Sequence, residues 1–215
     1  VIDPGFDLSN TAFPYMACVP VMVGGVRGRL YRVSFSGELA YEVAVPMTHG
    51  AALMAALYER GQDLGVVVYG LEALGVMRIE KGHVAGNELN GTTTAFDLGL
   101  GKMVKAKGDF IGKAMAARPL LLAPDRMRLV GLKPVDPKAR LRGGAHFVAR
   151  DATASAENDE GYMTSVCYSE AVGSWIGLGL LKRGPERHGE IVRALDPVRG
   201  GDVEGEVVDP IFVDR

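Results

Sequence analysis

Glu42 is the carboxylate in this sequence with the clearest chemical opening. It ends RVSFSGELAYEV, residues 32–43, and sits between Tyr41 and Val43. Two carboxylate oxygens at one point can accept both N–H groups along the edge of an amino-pyrimidine ring, a charge-assisted bidentate geometry. Phe35 and Tyr41 flank it and can supply part of an apolar wall. The same carboxylate has a plainer use. If Arg29 to Phe35 and Tyr41 to Val45 form a hairpin closed at Phe35 and Tyr41, Glu42 lies opposite Ser34 and diagonal to Arg32, within reach of a cross-strand ion pair. Pattern alone leaves both uses open.

Other chemistries find less support. His49, His83, His146 and His188 are scattered, and neither Cys18 nor Cys167 has a ligand partner at motif spacing, so no metal is expected. There is no GxSxG, and both cysteines read as structural. DLGLGKM lacks the Ser or Thr and the first glycine of a phosphate loop, with Met103 and Phe96 in those places. GSWIGLGLL does not follow the βα pattern of a dinucleotide site, so its glycines, like Gly99 and Gly101, read as turn and tight-packing residues. In RIEKGHVAGNELNG, Arg78, Glu80 and Lys81 suit a solvated helix face, or Arg78 anchors a loop; Asn87, Glu88 and Asn90 suggest an ordered turn.

The elements that must position these residues fall into two textures. Residues 28–116 mix strands and helices. In the hairpin register above, Tyr31, Val33, Phe35, Tyr41, Val43 and Val45 share an apolar face, and Arg32, Ser34, Glu42 and Ala44 the other. Thr48 is expected to cap a helix through AALMAALYER, stopped by Gly61, with Leu53, Ala56 and Leu57 packed on the sheet. GVVVYG reads as a buried strand. GLEALGVMRIEKG reads as a second helix with Leu71, Leu74 and Met77 on one side and Gly82 near its end; a third, short helix is expected from Asp109. Pro119 and Pro124 then interrupt helix formation. Residues 128–213 offer six short strands, RLVGLK, AHFVA, GYMTSVCYS, WIGLGLL, EIVRAL and VEGEVVDPIFV, which suggest a small barrel or sandwich. The polar stretch RDATASAENDEG, residues 150–161, reads as an exposed loop.

Composition narrows the class. Of 215 residues, 24 are basic and 26 acidic, so net charge is −2 and no basic footprint favours nucleic acid. No apolar run approaches a membrane span and no signal peptide is seen, so no membrane association is expected. Two cysteines argue against a disulfide scaffold and fit a reducing, cytoplasmic setting. The start VIDPGFDLS, without an initiator methionine, reads as a fragment or processed product.

RVSFSGELAYEVAVP, then YGLEALGVMRIEKGH, then TTTAFDLGLGKMVKAKGDFIGKAM, then TSVCYSEAVGSWIGLGLL resemble the aminomethyltransferase (glycine-cleavage T-protein) family in order, from about Phe13 onward. AFPYMAC, MRIEKGHVAGNELNG, LVGLKPVDP, SWIGLGLLKRGPER and LDPVRGGDVEGEVV are more specifically similar to the carboxyl-terminal region of heterotetrameric sarcosine oxidase alpha subunits. The resemblance implies an α+β fold: part of a folate-binding α/β domain (residues 1–117), a linker (118–127) and an antiparallel β-barrel (128–215). It implies tetrahydrofolate as cofactor, with the glutamate ending G-E-x-x-[YF]-E, here Glu42, on the pterin, and the aromatic seven residues before it, here Phe35, in the wall. Arg32 and Tyr41 match further motif positions. It also implies departures. Leu74 replaces a folate-holding arginine, His83 replaces a folate-contacting tyrosine, and the acidic residue near the reactive folate nitrogens belongs upstream, so no catalytic residue is assigned. By resemblance, the whole oxidase has beta, gamma and delta subunits and carries FAD, FMN and NAD elsewhere. An isolated chain is then expected to lack turnover, and to expose apolar surface where the upstream part would pack.

Overall fold

The computed structural model describes residues 1–104 and 108–214. Residues 105–107, inside TTTAFDLGLGKMVKAKGDFIGKAM, and Arg215, at the end of the expected barrel span, lie outside the described residues. The chain divides into two compact units, 1–74 and 75–215.

The first unit is built on a three-stranded antiparallel sheet, β1 (Cys18–Val23), β2 (Val26–Tyr31) and β3 (Glu42–Ala44), in that spatial order. Gly24 and Gly25 join β1 to β2 with φ of 55° and 80°, the positive values that a two-residue hairpin turn demands. Val19, Val21, Val23, Leu30 and Val43 share one face of the sheet, with Val23 and Leu30 buried. Cys18, Pro20, Met22, Arg27, Arg29, Tyr31, Glu42 and Ala44 share the other.

This corrects the expected hairpin. Glu42 pairs with Tyr31, not Ser34, and Val43 with Leu30, so the register differs by three residues and the faces are exchanged. The physical reason lies at Arg32. Its N–H donates to the Ala17 carbonyl at 2.9 Å and its carbonyl accepts from the Met16 N–H at 2.8 Å, so its backbone follows β1 rather than β3. Residues 32–41 then form an irregular loop, although their alternation reads as strand.

The helices also differ from expectation. A 3-10 turn at Met47–His49 precedes α1 (Gly50–Gly61), and Thr48 does not cap it: its Oγ1 meets His49 Nδ1 at 3.0 Å instead. Gly61 does not stop the chain either. It lies within α1, another 3-10 turn follows, and the left-handed residue is Gly65 at φ 71°. Leu53 and Ala56 are half-buried and Leu57 is exposed. GVVVYG is not a buried strand: Val67, Val68 and Tyr69 are 77, 60 and 58% exposed. α2 (Leu71–Glu80) forms, but Leu71 is exposed and the buried residues are Ile79 and Glu80 at its far end. The last short helix, α3, covers only Lys113–Ala116, because Gly112 at φ 90° cannot continue a helix from Asp109.

In the second unit all six expected strands form: β4 (Met127–Pro134), β5 (His146–Ala149), β6 (Gly161–Ser169), β7 (Ser174–Lys182), β8 (Ile191–Leu195) and β9 (Asp202–Val208). They close into a barrel in the order β4-β7-β6-β5-β8-β9, with β9 returning to β4. Val130, Leu132, Phe147, Met163, Leu181, Val192 and Val207 form one buried cluster. A second cluster joins Leu129, Cys167, Ile176, Leu178 and Leu180 to Ile79 and Leu98. Gly177 and Gly179 let the walls close: a Cβ on the first would stand 2.6 Å from Met163 Sδ and on the second 2.6 Å from the Phe147 ring. Residues 150–158 are mostly exposed, as their polarity suggests. Among the described residues no helix is long and apolar enough to cross a membrane.

Candidate functional site

The loop between β2 and β3 carries most of the residues singled out in the sequence. Arg32 and Tyr41 close its two ends: an Arg32 guanidinium N–H donates to the Tyr41 hydroxyl at 3.2 Å, and the guanidinium carbon lies 5.0 Å from the ring centroid. A second N–H donates to Asn10 Oδ1 at 3.0 Å. Tyr41 stacks on fully buried Phe13, with centroids 6.3 Å apart and planes within 7°, and Phe6 meets Phe13 edge-on. A cation–π contact at a partly exposed site contributes about 0.5–1 kcal/mol, enough to bias a loop that has no ladder of its own.

Arg32 is therefore committed to Tyr41 and Asn10, and the Arg32–Glu42 ion pair, one of the two uses the pattern left open, does not form among the described residues. Among the described residues no hydrogen bond or ion pair engages the Glu42 carboxylate, which is exposed beside Tyr31 and, one strand further, Cys18. Phe35 is 39% exposed in the same loop. The neighbouring Ser34 Oγ is buried without a hydrogen-bond partner. The structure thus brings Arg32 and Tyr41 into contact and sets Glu42 next to Tyr41 in the chain. Leu74 is half-buried on α2.

A second polar centre was only partly legible. Glu88, completely buried, accepts at Oε1 from Thr164 Oγ1 (2.5 Å) and Ser165 Oγ (2.7 Å), and at Oε2 from the Ala85 N–H (2.8 Å) and Arg78 (3.2 Å). Arg78 also donates to Ser165 Oγ and to the His83 carbonyl. Arg78 is thus the anchor of an ordered loop rather than part of a solvated face. Buried Glu80 accepts from Ser169 Oγ at 2.6 Å. NELN advertises a turn, but the hydroxyls that satisfy Glu88 lie 76 and 77 residues away, and nothing local announces them.

Burial pushes the Glu88 carboxyl up, yet the Thr164 and Ser165 hydroxyls, the Ala85 N–H and Arg78 outweigh it and hold Glu88 below 4.5. For Asp97, burial is likewise outweighed by Arg126 and Thr94, which hold it below 3.8. Both groups have depressed values when folded, so their stabilisation is complete above the ordinary carboxylate range and is lost as pH falls through the lowered values. Thermal melts should be flat in this respect above about pH 5 and decline steeply below about pH 4. Glu88→Gln/Asp97→Asn should weaken that acid dependence while lowering Tm at neutral pH; equal acid slopes in both proteins would refute the assignment.

Nothing in the second centre points to catalysis. Burial, with Glu80 adding, pushes the Cys167 thiol up to about 12, so it is not a nucleophile at neutral pH. Among the described residues no three His, Cys, Asp or Glu side chains gather as a metal site.

A mixed sheet-and-helix unit followed by a closed six-stranded antiparallel barrel is the architecture of the glycine-cleavage T class. The GCVT N-terminal domain matches residues 2–108, and the glycine cleavage T-protein C-terminal barrel domain matches residues 127–214. The chain belongs to the glycine cleavage T-protein family. It is 50% identical over 211 residues to sarcosine oxidase subunit alpha of Rhizobium meliloti (strain 1021), covering 97% of this chain and 21% of that one. It is 40% identical over 212 residues to sarcosine oxidase subunit alpha of Corynebacterium sp. (strain U-96), covering 97% and 22%. The chain therefore spans about a fifth of the length of these relatives, and its match fits a carboxyl-terminal portion. A crystal structure of the glycine cleavage system aminomethyltransferase T from Bartonella henselae superposes with a TM-score of 0.74 at 26% identity, covering 87% of this chain and 50% of that one.

Proposed function

We propose that this chain is the tetrahydrofolate-binding part of a sarcosine oxidase alpha subunit, within an enzyme that converts the one-carbon unit from oxidative demethylation of sarcosine into methylene-tetrahydrofolate. The observation that carries the reading is the Glu42 carboxylate, left exposed and, among the described residues, without a hydrogen-bond or ion-pair partner, while Arg32 is held by Tyr41 and Asn10. The residues present fit one end of a folate. Glu42 offers two acceptor oxygens to paired N–H donors, Phe35 offers an accessible ring, and the buried Ser34 hydroxyl lacks a partner in the same loop. Arg32 and Tyr41 tie the two ends of the loop together beside Glu42.

Tetrahydrofolate, when bound, supplies the nitrogens that accept the one-carbon unit. The contribution of this chain is placement, since holding a reactive carbon beside its acceptor is largely proximity catalysis. In this reading the beta, gamma and delta subunits, together with FAD, FMN and NAD, belong to the remainder of a cytoplasmic enzyme.

Calorimetric titration with 5-formyltetrahydrofolate should show saturable binding, and Glu42→Gln should weaken it by roughly ten-fold or more, the loss expected when a charge-assisted bidentate contact becomes a neutral one. Equal affinity in both proteins would overturn the pterin assignment. A second reading, a module that packs against other subunits without binding folate, draws on the exposed Val67, Val68, Tyr69 and Leu71. It requires no folate binding by either protein, in this chain or in the assembled enzyme.

A further inference from the structure

The outer wall of the barrel carries a cleft that the folate reading does not use. Phe147 on β5 and Val192 and Ala194 on β8 belong to the buried cluster inside the barrel. Alternation along the strands then puts His146, Val148 and Leu195 on the outer wall, with His146 paired to Leu195 in the β5–β8 register. Val148 is buried all the same. Residues from the loop after β5 cross this wall, and together with the turn after β8 they bound a cleft of about 490 Å³. Small-molecule sites typically measure about 300–1,000 Å³.

Both rims of the cleft are tied down. Arg193 donates from Nη1 to the Ala152 carbonyl at 3.0 Å while the same guanidinium pairs with Asp202. Asn158 Nδ2 donates to the Thr153 carbonyl at 2.9 Å, and Lys182 Nζ to the Asp159 carbonyl at 2.8 Å. On the other rim Asp196 accepts the Val198 and Arg199 N–H groups and pairs with the Arg199 guanidinium. A ligand therefore meets ordered walls, which lowers the entropic cost of binding.

The chemistry of the lining is uneven. Val148, Leu195 and Pro197 make the strand side and Ala154 and Ala156 the loop side, all apolar. Of the polar groups, Asp196 is taken up by Arg199, and the Ser155 hydroxyl bonds the Glu157 carboxylate. His146 Nδ1 meets Asp159 Oδ2 at 3.1 Å, and Asp159 Oδ1 accepts the Gly161 N–H at 3.2 Å. The bond to Asp159 places the proton of the neutral imidazole on Nδ1 and leaves Nε2 as an acceptor. Among the described residues no hydrogen bond engages Nε2. No lysine or arginine side chain among them lines the cleft, and Asp159 is an acid, so an organic anion is disfavoured. A neutral ring bearing one hydroxyl suits the apolar walls, the lack of cations and the single outward acceptor.

We propose that this cleft is a second ligand site, for an uncharged aromatic alcohol whose hydroxyl donates to His146 Nε2 and whose ring lies against Val148, Leu195 and Pro197. The inference stands apart from the folate reading, because every residue in it belongs to the barrel-bearing unit.

The probes are 2-naphthol and 2-methoxynaphthalene, since methylation removes the donor and keeps the rings. In calorimetric titration of the full chain, 2-naphthol should bind saturably and roughly five-fold more tightly than its methyl ether, the difference made by one neutral hydrogen bond. It should also shift the nitrogen NMR resonance of His146 Nε2. His146→Phe should bring the two affinities together, and Ala156→Trp, which fills the loop side, should abolish both; folding of each variant is checked by circular dichroism. No saturable binding of 2-naphthol, equal affinities in wild type, or an unchanged preference in His146→Phe overturns the hydroxyl assignment. Binding that survives Ala156→Trp places the probes elsewhere and overturns the site. Should His146→Phe fail to fold, the nitrogen shift in wild type decides, and its absence overturns the proposal.

Discussion

Replacing Glu88 with alanine should destabilise the barrel-bearing unit by about 3–5 kcal/mol, read as a lower midpoint in urea denaturation of the chain. The magnitude follows from what is left behind. Glu88 is fully buried and satisfies four donors at once, so its removal leaves the Ser165 hydroxyl and the Ala85 N–H without their acceptor and the Arg78 guanidinium without its carboxylate, while Thr164 Oγ1 keeps only the Leu178 carbonyl. Arg78 is itself only 12% exposed, so water cannot fully replace the lost partner. The double replacement Arg78→Met/Glu88→Leu should cost less than Glu88→Ala alone, because it removes the charge instead of isolating it. A single mutant within about 0.5 kcal/mol of wild type would show that the network contributes little.

Gly161→Ala should be comparably damaging, by several kcal/mol, and for a different reason. Gly161 begins β6 at φ 148°, a conformation that side chains rarely adopt, and a Cβ there would stand 2.0 Å from the Leu180 carbonyl oxygen. Backbone strain of about 1–3 kcal/mol adds to an overlap that only movement of β7 relieves. Gly189→Ala is the matched control: its φ is also positive, at 87°, but nothing lies within 4 Å of the added methyl. The difference between the two measured losses isolates the clash from the strain, and equal losses would refute it.

How far the sequence could be read depends on where each residue's partners lie. The barrel strands were legible because each is a short β-rich run bounded by turn residues, although only three of the six pairings, β5 with β6, β6 with β7 and β8 with β9, join neighbours along the chain. β1 was missed because Pro20 interrupts CVPVMV, although proline is tolerated there: β1 pairs only with β2 among the named strands. The register of Glu42 was misread because alternation continues past Tyr31 into a segment whose backbone is claimed by Met16 and Ala17. Those contacts are non-local and leave no periodic trace. For the same reason the loop-anchoring use of Arg78 was one of two options, while the role of Glu88 was hidden. Glycine gave the opposite outcome. Gly177 and Gly179 were read as turn and tight-packing residues because GSWIGLGLL lacks the βα setting of a dinucleotide site, and the side chains that approach them are Met163 and Phe147.

The ring of six strands has one more implication. In β4-β7-β6-β5-β8-β9 every strand is flanked on both sides, so there is no outermost member from which fraying can start. Peeling any one strand away means breaking two ladders together, which makes opening of the barrel an all-or-nothing event. The sheet of the first unit is linear, and its end strand β3 is three residues long, held on one side. The glutamate proposed to meet the pterin thus sits on an element that can breathe, in a chain whose other unit has no loose end to pull.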